Sequence, residues 1–484
     1  MTDVSKWTVL STLEKFKNKE ISSVELTRAF LGNIAKDKHN AYITVCEDSA
    51  INAAKQADSK ISQGNIGKLE GIPLAIKDIF CTKNIRTTAG SRMLENFIPP
   101  YESDVTAKLL QEGAVFLGKT NMDEFAMGST TMTSYFGKCI NNWREKENPE
   151  KDLVPGGSSG GSAVAVSANL CLAATGSDTG GSIRQPAAFC NLVGVKPSYG
   201  MCSRYGMIAY ASSFDQAGFL TKNVADAAYL MEIIAGSTGR DSMMYQAENY
   251  NFSSSINNGI KGLNVGIPKQ FHSDKINADI LKVWNNVIDF CRKSGANVIE
   301  IDLPNVEKSI NVYYTITPAE ASSNLARFDG VRYGHRAEDV VNISDLYLKS
   351  RTEGFGEEVR RRIMIGNYVL ASENYHEQYD KAMRVRRVIK NEFDAAFEKI
   401  DCMIFPTTPN VAFGINDKQE NPILTYLNDI YTVPVNLAGL PGISIPCGLS
   451  SEGLPIGMQV VTQRLNDAMM YQIAKEVEKI YNNV

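Results

Sequence analysis

Two glycine- and serine-rich loops lie close together in the chain and carry residues suited to nucleophilic chemistry. The first reads GGSSGGS (156–162) and the second reads GSDTGGS (176–182). A serine hydroxyl can attack a carbonyl or relay a proton when a neighbouring group activates it. Glycine lets the backbone approach a ligand closely, so that successive N–H groups can converge on one point. A flexible linker is the alternative, but the small apolar segment 163–175 between the loops argues against it.

Acyl transfer also needs donors for the oxyanion that forms when a carbonyl is attacked. Thr179, Gly180 and Gly181 directly precede Ser182, and the two glycines leave their backbone N–H groups unobstructed. If these N–H groups point at a carbonyl attacked by the Ser182 hydroxyl, they form an oxyanion hole.

A serine nucleophile needs a base, and no histidine lies near these loops in the sequence. The four histidines are His39, His272, His335 and His376. Lysine replaces histidine in Ser–Lys enzymes, and it can accept a proton only if burial lowers its pKa. Lys77 ends the apolar run LEGIPLAIK (69–77), and open α/β sheets place functional groups at such strand ends. From the local sequence alone, a solvated lysine at the strand end explains Lys77 equally well.

One motif points to a different chemistry. The segment GAVFLGKT (113–120) matches the phosphate-loop pattern GxxxxGK[ST] letter by letter. A phosphate loop follows a strand and contains a polar, glycine-rich turn. Here a predicted helix, 104–111, comes first, and Ala-Val-Phe-Leu itself is typical of a strand. We therefore expect a strand, and a nucleotide-binding enzyme is the alternative that tight ATP binding would support.

Composition and charge narrow the class of protein. The chain has 484 residues and a net charge of −4, which gives no reason to expect nucleic-acid binding through bulk charge. Nine scattered cysteines without a CxxC pair indicate reduced thiols, as in the cytoplasm. The first residues do not resemble a signal peptide, and the longest apolar stretch is too short to span a bilayer. We expect a soluble cytoplasmic protein without membrane contact.

Strand and helix patterns alternate along the whole chain. They predict an α/β fold in which one large domain, 1–484, has a mixed central β-sheet covered by helices on both faces. We expect N-terminal helices in 1–65, a catalytic core in 66–230, a helical substrate-site region in 310–400 with a break near Phe355 and Gly356, and strands and a helix in 401–484 that complete the core.

The two loops, together with GIPLAIKD (71–78), LAGLPGISIP (437–446) and PIGMQ (455–459), resemble the amidase signature family over nearly the whole chain. The resemblance implies this fold and a Ser–Ser–Lys triad. Ser182 would be the nucleophile, Ser158 the proton relay with a cis peptide bond before it, and Lys77 the base. Ser159 and Ser162 would then be structural and would cap and pack the following helix.

Four further segments are similar to family members that hydrolyse glutamine and work with tRNA: 121–129, 322–336, 350–366 and 426–444. The resemblance implies that Arg362 binds the glutamine carboxylate, Asp429 binds its ammonium group and Tyr313 contacts its backbone. The neighbouring Arg361 and Tyr314 leave the register of these assignments open. Asp429 could instead cap a helix or turn, and the basic run VRRR (359–362) could be a solvated helix face.

The resemblance also implies partners. No cofactor is expected in this chain. Ammonia would pass to a partner, the B subunit of an amidotransferase, which would bind ATP, magnesium and a misacylated tRNA, Glu-tRNA(Gln) or Asp-tRNA(Asn). A small C subunit would hold the two together. The alternatives are a stand-alone amidase that hydrolyses a small amide, such as indoleacetamide or malonamate, and a non-catalytic binding subunit with the same fold.

Overall fold

The computed structural model describes residues 3–64, 66–245, 250–272, 276–417 and 427–482. The helices in these ranges are α1 (Val9–Lys17), α2 (Ser23–Ile34), α3 (Glu47–Ser62), α4 (Asp104–Gln111), α5 (Gly160–Ser167), α6 (Arg184–Phe189), α7 (Val224–Ile234), α8 (Ala278–Lys293), α9 (Ser309–Asn324), α10 (Ile343–Gly354), α11 (Glu357–Leu370), α12 (Lys381–Phe397), α13 (Val433–Leu437), α14 (Asp467–Val477) and α15 (Lys479–Asn482). The strands are β1 (Tyr42–Val45), β2 (Pro73–Lys77), β3 (Val115–Thr120), β4 (Ala173–Asp178), β5 (Val193–Lys196), β6 (Gln216–Thr221), β7 (Asn264–Pro268), β8 (Asn297–Ile301), β9 (Cys402–Pro406), β10 (Gly442–Leu449) and β11 (Pro455–Thr462).

One mixed sheet runs through the molecule. In the part of the chain that the structure describes it has 11 strands, in the order β1-β3-β2-β4-β6-β5-β10-β11-β9-β7-β8. The strands β3, β2 and β4 are parallel, the middle of the sheet is antiparallel, and β9, β7 and β8 are parallel again. Helices flank this sheet, so the predicted mixed α/β fold is confirmed.

The parallel strands β3, β2 and β4 set the position of the serine loops. All residues of β2 are buried, and its apolar residues lead directly to Lys77. Leu74 and Ala75 pair with Ala173 and Ala174 of β4. Because parallel strands end at the same edge of a sheet, Lys77 lies beside the second glycine-rich segment, whose first three residues end β4 and whose last four form the loop that follows it.

The phosphate-loop match is a strand, as the sequence predicts. Lys119 lies in β3 and is 1 % exposed. Its ammonium group donates to the Phe80 carbonyl at 2.8 Å and the Thr87 hydroxyl at 2.7 Å, and it lies 3.2 Å from the Asp78 carboxylate. The Lys119 ammonium group is therefore bound by internal partners, which a buried charge requires.

Two expectations about helical regions have different outcomes. The N-terminal region is mainly helical, and Ser22 caps α2 through a capping box with Glu25. The strand β1 interrupts it, which the helical prediction missed; its Tyr-Ile-Thr-Val sequence consists of strand-favouring residues, and it pairs with β3. The predicted break at Phe355 and Gly356 is confirmed, because α10 ends and α11 begins there.

All nine cysteines are free thiols. Among the described residues, no helix combines the length and the apolar character needed to cross a bilayer.

Candidate active site

Lys77 is fully buried, and its ammonium group contacts three serine hydroxyls. Its Nζ atom lies 2.8 Å from the Oγ atoms of Ser158, Ser159 and Ser177. The Lys77 N–H also donates to the Thr175 hydroxyl at 2.9 Å. The structure thus excludes the alternative of a solvated lysine at the strand end.

Burial changes the protonation of this lysine. Removal from water lowers the pKa of Lys77 to about 7, although the negative charges of Asp123, Asp178 and Asp215 oppose this change. A lysine with a pKa near 7 is neutral in a large fraction of molecules at neutral pH. It can therefore take up and return a proton under physiological conditions.

Backbone contacts bring the two serine loops together. The Ser159 N–H donates to the carbonyl of Ser182 at 3.2 Å, and Ser182 is 8 % exposed. The peptide bond between Gly157 and Ser158 is cis, as the family resemblance implies. The Gly157 N–H donates to the Gln185 side chain at 2.8 Å. The backbone of Ser182 therefore lies next to the loop in which Ser158 contacts Lys77.

The other two serines of the first loop differ in role. Ser162 packs α5 as expected, because its hydroxyl donates to the Thr175 carbonyl at 2.9 Å. Ser159 does not cap α5: it makes no side-chain capping bond, and its hydroxyl instead accepts from Lys77 and donates to the Ser177 carbonyl at 3.2 Å. The buried ammonium group needs acceptors, and this need outweighs capping.

Ser177 was missed in the sequence, although a signal for it exists. Side chains two apart on a strand point to the same face. Thr175 and Ser177 in β4 both contact Lys77. The Thr175 hydroxyl accepts from the Lys77 backbone N–H, and the Ser177 hydroxyl accepts from the Lys77 ammonium group. The strand pattern next to a candidate lysine could have identified Ser177.

A buried ion pair shapes the loop before Ser182. The Asp178 carboxylate accepts from the Arg184 Nε at 3.0 Å and from the Gly181 N–H at 2.8 Å. This second bond bears on the predicted oxyanion hole, because it engages the Gly181 N–H within the loop. The proposed hole is thereby reduced to the backbone of Thr179 and Gly180.

Tyr313, which the family resemblance assigns to the substrate site, lies against this loop. Tyr313 is 4 % exposed, and a Cβ atom added to Gly180 would lie 2.6 Å from its hydroxyl oxygen. Thr432 closes the other side, since its hydroxyl donates to the Gly180 carbonyl at 2.6 Å. Gly181 has a φ of +130°, which a residue with a side chain rarely adopts. The close approach of both neighbours explains why glycine occupies these positions.

A buried charged cluster lies near the loop. The Arg362 guanidinium donates to the Tyr210 hydroxyl at 2.8 Å and to Glu358 at 2.8 Å, and its central carbon lies 5.5 Å from the centre of the Tyr314 ring. The Tyr314 hydroxyl donates to the Asp429 carboxylate at 3.2 Å. The backbone of Thr432, which contacts Gly180, also donates to the Asp429 carbonyl, at 3.1 Å.

The electrostatics of this cluster suit a ligand with two charges. Burial raises the pKa of Asp429 to about 7, and the Tyr314 hydrogen bond and the positive charge of Arg362 only partly offset this effect. A ligand ammonium group would restore the negative charge of Asp429. A ligand carboxylate would add a partner for the guanidinium, which has five N–H donors.

The sequence left open whether Arg361 or Arg362, and Tyr313 or Tyr314, belong to the substrate site, and the side-chain positions bear on this choice. Arg361 is on the outer side of α11 and pairs with Glu357 and Glu358, whereas Arg362 is 4 % exposed and faces Tyr210 and Tyr314. The basic run is thus a solvated face only in part. Tyr314, and not Tyr313, contacts Asp429.

No group of His, Cys, Asp or Glu side chains that could hold a metal ion is found in the described ranges.

The large mixed sheet, the buried lysine bonded to serine hydroxyls and the adjoining glycine-rich loop together define an amidase-type protein. The profile of the Amidase family matches residues 25–471. The chain belongs to this family.

Two relatives with full-length similarity carry the same name. The chain is 48 % identical over 480 residues to a protein of Parvibaculum lavamentivorans named as the A subunit of glutamyl-tRNA(Gln) amidotransferase, and the match covers 99 % of this chain and 97 % of that protein. It is also 48 % identical over 482 residues to the protein of the same name from Wolbachia pipientis, with 99 % and 98 % covered.

Solved structures have the same fold. The crystal structure of the A subunit of glutamyl-tRNA(Gln) amidotransferase from Thermotoga maritima has a TM-score of 0.80 and 38 % identity, and the match covers 99 % of this chain and 96 % of that one. The peptide amidase of Stenotrophomonas maltophilia has a TM-score of 0.81 and 28 % identity, with 99 % and 97 % covered.

Proposed function

We propose that this chain is the glutamine-hydrolysing A subunit of a tRNA-dependent amidotransferase. The observation that carries the proposal is the pair of buried residues Arg362 and Asp429, connected by the partly buried Tyr314, beside the Ser182 loop. Glutamine has one carboxylate and one ammonium group. The cluster offers Arg362, which also pairs with Glu358, as the cation for the carboxylate and Asp429 as the anion for the ammonium group. A hydrolase for small neutral amides has no use for such a pair. The names of the full-length relatives support the same function.

The first half-reaction forms a glutamyl-enzyme. The Ser182 hydroxyl attacks the side-chain amide carbon of glutamine while its proton moves to Ser158 and the Ser158 proton moves to neutral Lys77. The backbone N–H groups of Thr179 and Gly180 stabilise the oxyanion. Lys77 then returns the proton through Ser158 to the amide nitrogen, the C–N bond breaks, and ammonia leaves.

The second half-reaction regenerates the enzyme. Water attacks the glutamyl ester, and its proton passes through Ser158 to Lys77. The same proton then returns to the Ser182 oxygen as the C–O bond breaks and glutamate leaves. One lysine can serve both directions because a hydroxyl donates and accepts simultaneously.

Substrate binding would use the other cluster. Arg362 would bind the glutamine carboxylate, Asp429 would bind the ammonium group, and Tyr313 would contact the substrate backbone close to Gly180. Tyr314 is added to this set because it connects Arg362 and Asp429.

The ammonia would pass to the B subunit of the complex in the cytoplasm. That partner would bind ATP, magnesium and Glu-tRNA(Gln), or Asp-tRNA(Asn), and would form the amide on the tRNA-bound amino acid. The small C subunit would stabilise the complex. This chain itself would need no cofactor.

Ammonia release from glutamine tests this function. We expect the chain assembled with the B and C subunits to release ammonia faster when ATP and Glu-tRNA(Gln) are added, because hydrolysis would then be coupled to amidation. Ser182→Ala should abolish release while leaving the assembled complex intact. Fast release that does not respond to partner or tRNA would instead identify a stand-alone amidase, and release by Ser182→Ala would exclude Ser182 as the nucleophile.

A further inference from the structure

A tight turn that contains Asp123, Glu124 and Phe125 lies directly beside the relay serine. The Asp123 N–H donates to the Ser158 carbonyl at 3.3 Å, and the Asp123 carboxylate accepts the Thr131 N–H at 2.8 Å. Phe125 has a φ of +49°, in the left-handed region that residues with side chains seldom adopt. These contacts fix the backbone of Glu124 relative to the first serine loop.

The side chain of Glu124 reaches in the other direction, to the break between α10 and α11. Its Oε2 atom accepts the Gly356 N–H at 2.9 Å, and Gly356 is the N-cap of α11. Its Oε1 atom accepts the Ser91 hydroxyl, which also lies 3.2 Å from the Gly354 carbonyl at the end of α10. Glu124 is 2 % exposed. One buried carboxylate thus holds the position where α11 starts.

The helix that begins there carries the proposed carboxylate ligand. Arg362 follows Gly356 by six residues, which corresponds to about 9 Å along the helix. A Cβ atom on Gly356 would overlap the Glu124 carboxylate, and the ring of Phe355 packs on that of Phe125 at 5.6 Å. The start of α11 is therefore packed closely against the turn beside Ser158.

We propose that Glu124 is a positioning residue that fixes the Arg362 guanidinium relative to the Ser182 hydroxyl by connecting the turn at Ser158 to the start of α11. The inference rests on the proposed function, in which Arg362 binds the carboxylate of glutamine. Glu124 itself contacts neither the substrate nor the triad side chains in this scheme. Its loss should weaken glutamine binding and leave the reactivity of Ser182 intact.

The test compares glutamine kinetics with covalent labelling of Ser182 by a fluorophosphonate, which needs no carboxylate ligand. In the assembled complex, we expect Glu124→Ala to raise the KM for glutamine by about ten- to a hundredfold, since displacing a positioning group by about 1 Å can cost up to about 10²-fold. The labelling rate should stay within about twofold of wild type, as expected when the triad is undisturbed. Glu124→Gln keeps an acceptor for the Gly356 N–H and should restore most of the binding.

A double variant separates this inference from the proposed function. Arg362→Ala should raise the KM, and adding Glu124→Ala should change it little further, because both changes affect one contact. If Arg362→Ala raises the KM and Glu124→Ala does not, or if the two effects add, only the positioning role is wrong. If Arg362→Ala leaves the KM unchanged, the proposed glutamine site fails as well.

Two more variants guard against a general loss of structure. Glu70 is another buried glutamate that accepts a glycine N–H, from Gly67 at 3.4 Å, and Glu70→Ala should leave the KM unchanged. If Glu124→Ala does not fold, Gly356→Ala disturbs the same contact from the helix side and should raise the KM in the same way. Equal losses of labelling and of glutamine turnover would overturn the proposal in favour of a purely structural role.

Discussion

The central residue of the site is a lysine whose burial disfavours its positively charged form. Lys77 is surrounded by three hydroxyl groups, and no carboxylate is its hydrogen-bond partner within the described residues. Hydroxyls can donate to a neutral amine as well as accept from an ammonium group, so both protonation states have partners. A base that takes up a proton and returns it through a serine hydroxyl needs this property.

The pH dependence of glutamine hydrolysis should reflect this lysine. Since burial lowers the pKa of Lys77 to about 7, we expect kcat to fall as the pH drops below about 7 and Lys77 becomes protonated. Lys77→Arg keeps the positive charge but cannot act as a base, and it should reduce kcat by about 10²–10⁴-fold. A rate measured from pH 5 to 9, about the range in which this group titrates, checks both.

A matched control is available for this prediction. Lys196 is also fully buried with a pKa lowered to about 7 by burial, but its ammonium group donates to the carbonyls of Pro197 and Leu440. The Lys196→Met variant should still show the fall in kcat below about pH 7, because that fall is attributed to Lys77. If Lys77→Arg retains the wild-type pH profile, Lys77 is not the base.

Among the elements, the loop between β4 and α6 and the helix α9 are packed closely. Tyr313 of α9 lies where a side chain on Gly180 would be, and Thr432 holds the Gly180 carbonyl from the other side. The backbone of this loop cannot shift without moving a buried aromatic ring. The proposed oxyanion donors are therefore preorganised by packing.

Gly180→Ala tests this packing. The new Cβ would lie 2.6 Å from the Tyr313 oxygen, so the loop or the ring must move. We expect kcat to fall by about 10²–10³-fold if an oxyanion donor is displaced. As a control, Gly32→Ala in α2 meets nothing within 4 Å and should leave kcat unchanged while stabilising the helix by about 0.5–1 kcal/mol. Unchanged kcat in Gly180→Ala would contradict the predicted preorganisation.

At the scale of the whole molecule, one buried arginine connects distant parts of the chain. Arg184 donates to Asp178 at the end of β4, to Gln459 in β11 at 3.0 Å and to the carbonyl of Thr432 at 3.2 Å. Burial alone would raise the pKa of Asp178, but Arg184 lowers it to about 2. This pair thus joins the serine loops to the C-terminal strands.

Arg184→Met should destabilise the protein as a whole. It would leave the buried Asp178 without its counter-charge, a change that typically lowers the free energy of unfolding by about 3–5 kcal/mol. Urea denaturation measures the loss. Arg292→Met removes an exposed pair with Asp289 and should change stability by less than about 1 kcal/mol. Equal stability of Arg184→Met and wild type would contradict the connecting role.

The depressed pKa of Asp178 adds a pH dependence. The Arg184–Asp178 contribution is present above the ordinary carboxyl pKa of 3.8 and is lost as the pH falls towards about 2. The Arg184→Met variant should lack this part of the acid sensitivity.

The sequence by itself determined the local chemistry. Two serine loops, a lysine at the end of an apolar strand and the strand-like interior of GAVFLGKT follow from residue types within short segments. Such features depend on side-chain size, polarity and backbone preference, which neighbouring residues already specify. The family resemblance and the mixed α/β fold follow from the same patterns.

Only the tertiary structure decided which groups meet. It selected Arg362 over Arg361 for the buried face of α11, brought Ser177 to Lys77 and engaged the Gly181 N–H with Asp178. It also placed Glu124 between the turn at Ser158 and the start of α11. The residues in contact are often 100 to more than 230 positions apart, as Ser177 is from Lys77 and Gly356 is from Glu124. Their meeting depends on strand order and helix packing, because a single chain pattern does not encode which distant segments become neighbours.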